Sequence, residues 1–251
     1  MRFIEKKINK LRKHLLGIRA KLDWWGDGVG VRGKNLGFLT AEKFAQSLKF
    51  AHDGNIEGWA RVGPVPEIPW RTHVACWAAS NALHLEGDFV ECGVHTGLLS
   101  MAICNYLDFD TLNRRFYLFD TFQGIPIEKL NPQQQADAQN MNKIYFDVYE
   151  LAKRNFSRFR NVELIRGELP ESLKMVEIGR ICYLSIDLNN AQYEEQTIEV
   201  IWDKLVPGAM VVIDDYGFSG HVPQYEMWNA FAKRNGRMVL TVPTGQGLLQ
   251  K

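Results

Sequence analysis

Residues 3–22 place Ile4, Ile8, Leu11, Leu15, Ile18 and Leu22 at steps of three and four, which is one face of a helix whose other face is basic. Residues 23–38 are rich in glycine, break the periodicity and read as a loop. Two helices are predicted next, over 41–51 and 70–85, the second carrying Trp70, Val74, Trp77, Ala78 and Leu85 on one side. Between them, Gly63-Pro64-Val65-Pro66 and Pro69 mark an extended connector. From Gly87 the pattern changes. Short apolar runs at 89–92, 116–119, 162–165, 181–186 and 210–213 alternate with helical segments and read as strands buried on both faces. That alternation builds a parallel sheet from right-handed crossovers. The runs at 238–242 and 247–250 are separated by only Pro243-Thr244-Gly245-Gln246, too short for a crossover helix, so they pair antiparallel.

The expected architecture is therefore α/β: parallel strands closed by an antiparallel hairpin and flanked by helices, over 70–251. Residues 1–69 form an N-terminal helical extension, and the long segment 127–160, rich in Gln and Asn, reads as a lid inserted into that domain.

The charge of the whole chain is +1, with 30 basic and 29 acidic residues, which implies no nucleic-acid partner. The balance is uneven along the chain. Residues 1–22 hold eight basic residues and one acid, leaving 22 basic and 28 acidic residues, a net −6, for the rest. The N-terminal helix is read mainly as a solvated face packing on its own domain or on a second copy in a homo-oligomer. The alternative is contact of residues 1–25 with an anionic membrane, with Trp24 and Trp25 at the interface. Cys76, Cys92, Cys104 and Cys182 form no C-x-x-C pair, so neither a disulfide framework nor a zinc site is expected. No apolar run is long enough to span a bilayer, and a cytoplasmic location, with or without peripheral membrane contact, is expected.

Candidate chemistry gathers at the carboxyl ends of the predicted strands, where open α/β sheets bind ligands. After the first comes Glu91-Cys92-Gly93-Val94-His95-Thr96-Gly97, an acidic turn whose glycines permit close backbone approach and whose following helix favours an anionic group. The second ends in Asp120-Thr121-Phe122, with Asp120 placed to accept hydrogen bonds from a ribose and Phe122 offering a ring face to a base. The third ends in Gly167-Glu168, a close approach beside an acceptor. The fourth ends in Asp187-Leu188-Asn189 and the fifth in Asp214-Asp215. Asp187, Asp214 and Asp215 at one sheet edge repel one another unless a cation neutralises them, and oxygen ligands select a hard ion such as Mg²⁺ or Ca²⁺. The competing reading makes Asp214 and Asp215 helix caps. Gly28-Val-Gly-Val-Arg-Gly-Lys34-Asn35 misses a phosphate-binding P-loop by its last residue and follows no core strand, so it is treated as a loop.

Four segments together, Gly87 to Gly97, Phe116 to Pro126, Pro207 to Tyr216 and Pro243 to Gly247, resemble the macrocin O-methyltransferase (TylF/MycF) family, over roughly residues 70–251. The resemblance implies a Rossmann-like class I methyltransferase sheet, S-adenosylmethionine as methyl donor, a divalent metal, and O-methylation of a hydroxyl on a sugar or other small glycan-like acceptor. By position it implies Glu91, Gly93 and Gly97 at the methionine end, Asp120 at the ribose, and Asp187, Asp214 and Asp215 at the metal; Thr96, Phe122, Gly167, Glu168 and Asp187 complete the set of candidate donor-binding residues. This sequence departs from the family in the fourth motif, usually Asp-Gly-Asp-x-Tyr and here Asp187-Leu-Asn189-Asn190-Ala-Gln-Tyr193. Asn189 cannot take a proton. With Asp187 and Asn189 as catalytic candidates, His221 becomes the first choice of general base and His95 the second. Two other readings stay open: a metal-independent O- or N-methyltransferase, and a non-catalytic scaffold docked through the basic helix.

Overall fold

The computed structural model describes residues 22–251, so the predicted helix over 3–22 lies outside the described residues. A seven-stranded sheet organises the chain. Its strands are β3 (Asp88–Cys92), β4 (Phe116–Asp120), β5 (Val162–Arg166), β6 (Ile181–Ile186), β7 (Leu205–Ile213), β8 (Leu240–Thr241) and β9 (Gly247–Gln250), in spatial order β5-β4-β3-β6-β7-β9-β8. The first five run parallel; β9 pairs antiparallel with both β7 and β8. The chain leaves β3 toward β4 and β5 and returns to β6 on the other side of β3. The crevice at a topological switch point therefore opens above the carboxyl ends of β3 and β6.

Alternate residues of each strand feed two separate cores. Phe89, Phe116, Leu118, Tyr183 and Val212 face one side of the sheet, and Val90, Phe119, Leu184, Ile186 and Ile213 face the other. The first side is covered by α1 (Glu42–Trp59), α2 (Pro69–Ala82), α3 (Leu98–Tyr106) and α5 (Tyr149–Phe156), the second by α6 (Ala191–Ile201) and α7 (Val222–Arg234). A further helix, α4 (Pro132–Met141), is started by a capping box between Asn131 and Gln134. All four cysteines are buried and free. Among the described residues no helix is long and apolar enough to cross a membrane.

Three elements differ from the sequence expectation, each for a packing reason. α1 runs on to Trp59 instead of ending near Ala51, although Asp53-Gly54-Asn55 looks like a turn. Its glycines serve helix contact: a side chain at Gly54 would strike Met101 of α3, and one at Gly58 would strike Thr96. In α2 the buried face is Thr72, Ala75, Cys76, Ala78, Ala79 and Ala82, small residues that let the helix lie close on the sheet. Trp77 is excluded from that narrow gap and is 49% exposed. Residues 23–38 contain a hairpin, β1 (Trp24–Gly26) and β2 (Val29–Val31), turned by Asp27 and Gly28 at φ 52° and 70°. An Asp-Gly pair with both residues left-handed is the hairpin turn that matches strand twist.

The two helix findings are testable together. Gly58→Val is expected to destabilise the protein by about 1–3 kcal/mol through overpacking, and Trp77→Gln to stay within about 0.5 kcal/mol of wild type, as read from urea unfolding midpoints.

Candidate active site

Three turns at the carboxyl ends of β3, β4 and β6 are fastened to one another by backbone. Gly93, at φ 88°, passes so close to the Asp187 carbonyl that any side chain would collide with it. Asp120, the last residue of β4, reaches back to the first turn: its Oδ2 accepts from the N–H groups of Val94 (2.6 Å) and His95 (2.7 Å), and its Oδ1 from Phe122 N–H (2.7 Å). One carboxylate thus holds two ligand-binding turns in register and fixes His95 at φ 50°. Gly97 contributes by packing, since a side chain there would meet the Phe156 ring.

These turns line an open cleft. Of the residues singled out in the sequence, Glu91, Gly93, Thr96, Asp120, Phe122, Gly167, Glu168, Asp187, Asn189 and Asp214 line it. Gly97, Asp215 and His221 are not among its lining residues. Gly167 abuts Ser172, leaving no room for a side chain. Glu168 accepts from Tyr193 Oη (3.2 Å) and pairs with Lys129 Nζ (3.0 Å). The tyrosine displaced in the fourth motif therefore serves the β5 side of the cleft.

The β6 and β7 ends bring Asp187, Asp214 and Asp215 together, with one oxygen from each lying within 4.8 Å of the others. Their mutual repulsion is met by one cation that the sequence did not announce. Arg71, in the first turn of α2, donates from Nη1 to Asp214 Oδ2 (2.8 Å) and from Nε to Asp27 Oδ1 (2.9 Å). Gln246 Nε2 donates to the other oxygen of Asp214 (3.0 Å), and Asn189 Nδ2 donates to Asp187 Oδ1 (2.9 Å). Asp215 Oδ2 is buried without a hydrogen bond; His221 Nδ1, at 3.6 Å, is too far to make one and sits 2.8 Å from Gln224 Nε2. Burial, then the charges of its neighbours, pushes the Asp187 carboxyl well up, and burial with the charge of Asp214 pushes Asp215 up to about 7. Glu194, buried beneath them and bonded to Trp228 Nε1 (2.7 Å), is also raised, first by burial.

Arg71, Trp59 and Tyr145, which line the cleft, and Asp27 and Gln246, which bond to its charged groups, are candidate-site residues that sequence reasoning missed. Gln246 stood in a quoted motif without a role. The other four meet only through tertiary contacts across long stretches of chain, and no local spacing signals them.

The sheet order, the antiparallel end and the glycine turn facing an acidic second strand define a class I methyltransferase fold. Residues 72–238 match the macrocin-O-methyltransferase (TylF) family, and the chain belongs to it. A curated relative, the 8-demethyl-8-(2,3-dimethoxy-alpha-L-rhamnosyl)-tetracenomycin-C 4′-O-methyltransferase of Streptomyces olivaceus, is 28% identical over 141 residues, covering 52% of this chain. The chain spans about half, 53%, of that relative's length. Among solved structures, the O-methyltransferase NovP superposes with a TM-score of 0.68 at 18% identity, over 83% of this chain and 97% of that one. The calicheamicin methyltransferase CalS11 superposes with a TM-score of 0.53 at 15% identity, over 82% and 91%.

Glu91 provides a pH test of the site. Burial, with added repulsion from Asp214 and Asp120, lifts its carboxyl from 4.5 to about 8. Between those values the folded protein keeps a proton that the unfolded chain has released, so stability falls as pH rises from 4.5 to 8. Glu91→Gln is expected to gain over wild type across that range and to level off above it, by roughly 2–4 °C in Tm per kcal/mol recovered. A series of thermal melts against pH checks this.

Proposed function

We propose that this chain is an S-adenosylmethionine-dependent O-methyltransferase that methylates a hydroxyl of a sugar or other glycan-like acceptor with the help of a hard divalent cation. The observation that carries the reading is one cleft lined both by the donor-type turns, Gly93, Asp120 and Gly167, and by the acidic group at Asp187 and Asp214. The sugar acceptor is supported by relatives: the Streptomyces olivaceus enzyme is described as acting on a rhamnosyl tetracenomycin, and CalS11 as a TDP-rhamnose 3′-O-methyltransferase.

In the donor half, Gly93 and Gly97 shape the turn for the methionine end. The one lone pair of Asp120 Oδ1 not taken by Phe122 N–H accepts from the ribose, while Phe122, Gly167 and Glu168 frame the base. Transfer moves a methyl group from a sulfonium to the acceptor oxygen while that oxygen gives up a proton, so alignment carries much of the barrier reduction. Asp187, Asp214 and Asp215 suit a cation, because one buried Asp215 oxygen lacks any partner and two of the three carboxyls are forced upward without an ion. Bound there, Mg²⁺ would act as a Lewis acid that lowers the pKa of the acceptor hydroxyl. Asn189 orients Asp187 through its 2.9 Å hydrogen bond and takes no proton. His221, 3.6 Å from Asp215 and outside the cleft lining, is the candidate to take the acceptor proton by way of that carboxylate, and residues 127–160 contribute Tyr145 to the cleft wall.

A metal-independent reaction is the second reading, favoured by one observation: Arg71 already supplies a cation to Asp214. Calorimetry and turnover on rhamnose-bearing acceptors separate the two. Asp120→Ala is expected to weaken donor binding roughly tenfold or more. Asp215→Asn is expected to spare binding and lower turnover by roughly a hundredfold, and EDTA to abolish turnover until Mg²⁺ is restored. EDTA-insensitive turnover would establish the metal-free reading. Absence of donor binding would leave only a scaffold role.

A further inference from the structure

Four side chains with hydroxyl groups line the cleft, and three of them are committed to the protein itself. Thr96 Oγ1 donates to Asn55 Oδ1, Thr121 Oγ1 donates to the Gly124 carbonyl (2.6 Å), and Tyr193 Oη lies 3.2 Å from both the Pro126 carbonyl and Glu168 Oε1. The fourth, Tyr145 Oη, has no hydrogen-bond partner among the described residues and keeps accessible surface in the cleft wall. Burial first, then the charges of Asp187, Asp215 and Asp120, raise the phenol above its ordinary pKa, so it keeps its proton and can donate.

Tyr145 lies in a stretch without regular structure that is nevertheless fastened on both sides. Asn142 Oδ1 accepts from the Ile125 N–H and Asn142 Nδ2 donates to the Ile125 carbonyl, both at 2.8 Å, so one side chain pairs with the loop after β4 as a neighbouring strand would. Three residues past the tyrosine, the Val148 N–H donates to the Phe122 carbonyl (2.9 Å). Gly124, at φ 113°, lies against this clasp, where a side chain would strike Asn142 and press on Tyr145. The Arg61 guanidinium covers the adjacent Phe146 ring at 4.5 Å. A contact from a loop already held in place carries little of the ordering cost that a free loop would add.

A sugar ring presents hydroxyls on adjacent carbons, each with one proton to give and lone pairs to fill. The oxygen that takes the methyl group must turn a lone pair toward the sulfonium, so a hydrogen bond donated into it would blunt its attack. Its neighbour on the ring has no such duty. The carboxylates of Asp120, Asp187 and Asp214 in the same cleft can take that neighbour's proton in a hydrogen bond but cannot fill its lone pairs.

We propose that Tyr145 determines acceptor specificity, its phenol O–H donating to a sugar hydroxyl beside the one that is methylated, with Asn142 as the positioning residue that holds it there. This rests on the sugar-acceptor reading given above and adds to it a residue that selects among sugars by the hydroxyl next to the reacting one.

The test follows turnover on 4-nitrophenyl α-L-rhamnoside and on its monodeoxy analogues, each lacking one ring hydroxyl, with S-adenosylhomocysteine binding read by calorimetry. In wild-type protein, an analogue that lacks a neighbour of the methylated oxygen is expected to show a KM raised roughly tenfold. Tyr145→Phe should raise KM for the parent rhamnoside by the same factor, add nothing on that analogue, and leave kcat and S-adenosylhomocysteine affinity within about twofold. Asn142→Ala should raise KM in the wild-type background but not in Tyr145→Phe, a dependence that a general loss of stability would not show. Equal increases on the parent and every analogue, an unchanged KM, or weakened S-adenosylhomocysteine binding in Tyr145→Phe would overturn the assignment. Wild-type protein that binds S-adenosylhomocysteine and methylates none of these rhamnosides would instead sink the sugar-acceptor reading on which it depends.

Discussion

A single guanidinium governs the electrostatics of this molecule. Arg71 lies between Asp27 and Asp214 and, among the described residues, is the one Lys or Arg in contact with a group that also holds Asp187 and Asp215, with Glu194 beneath and Glu91 nearby. Removing that many carboxylates from water without compensation would cost far more than a domain's net stability, so the buried acids must either keep protons or find positive charge. Both happen. Asp214, with Arg71 on one oxygen and Gln246 on the other, is fully partnered, whereas Asp187, Asp215, Glu194 and Glu91 are pushed toward the protonated form.

The sheet makes that concentration of charge tolerable. Alternating strand residues fill two apolar cores, and the carboxyl edge gathers polar side chains from the ends of β3, β4, β6 and β7. Asp120 then acts in a role distinct from charge. By accepting three backbone N–H groups it ties the β3 turn to the β4 turn, so the glycine loop is shaped by a side chain outside it.

Most of the fold was legible in the chain. Apolar runs gave all five parallel strands to within a few residues, because a doubly covered strand must be apolar throughout, and the short Pro243–Gln246 link left β9 no choice but to turn back. The site carboxylates were legible for the same reason, since strand ends and sheet edges are fixed by topology. What escaped were features set by close approach. Gly54 and Gly58 read as breakers but are contact points for α3, and Trp77 read as core but the gap it would enter suits alanine. The Asp27-Gly28 hairpin had a local signal that was outweighed by the surrounding glycines. Arg71, Trp59 and Tyr145 had none, because their roles arise from which distant segments pack against the β3 turn.

Asp27 also bears on where this protein can be cut. The segment shared with its relatives begins at Thr72, one residue past Arg71, and the two acids that the guanidinium bridges lie on either side of that border. A fragment trimmed to the shared portion would discard the guanidinium together with its N-terminal tether, and with them Phe44 and Ala51 from the core. It would keep the five parallel strands but lose the antiparallel end with the Pro243 to Gly247 segment, leaving three clustered aspartates without Arg71 or Gln246.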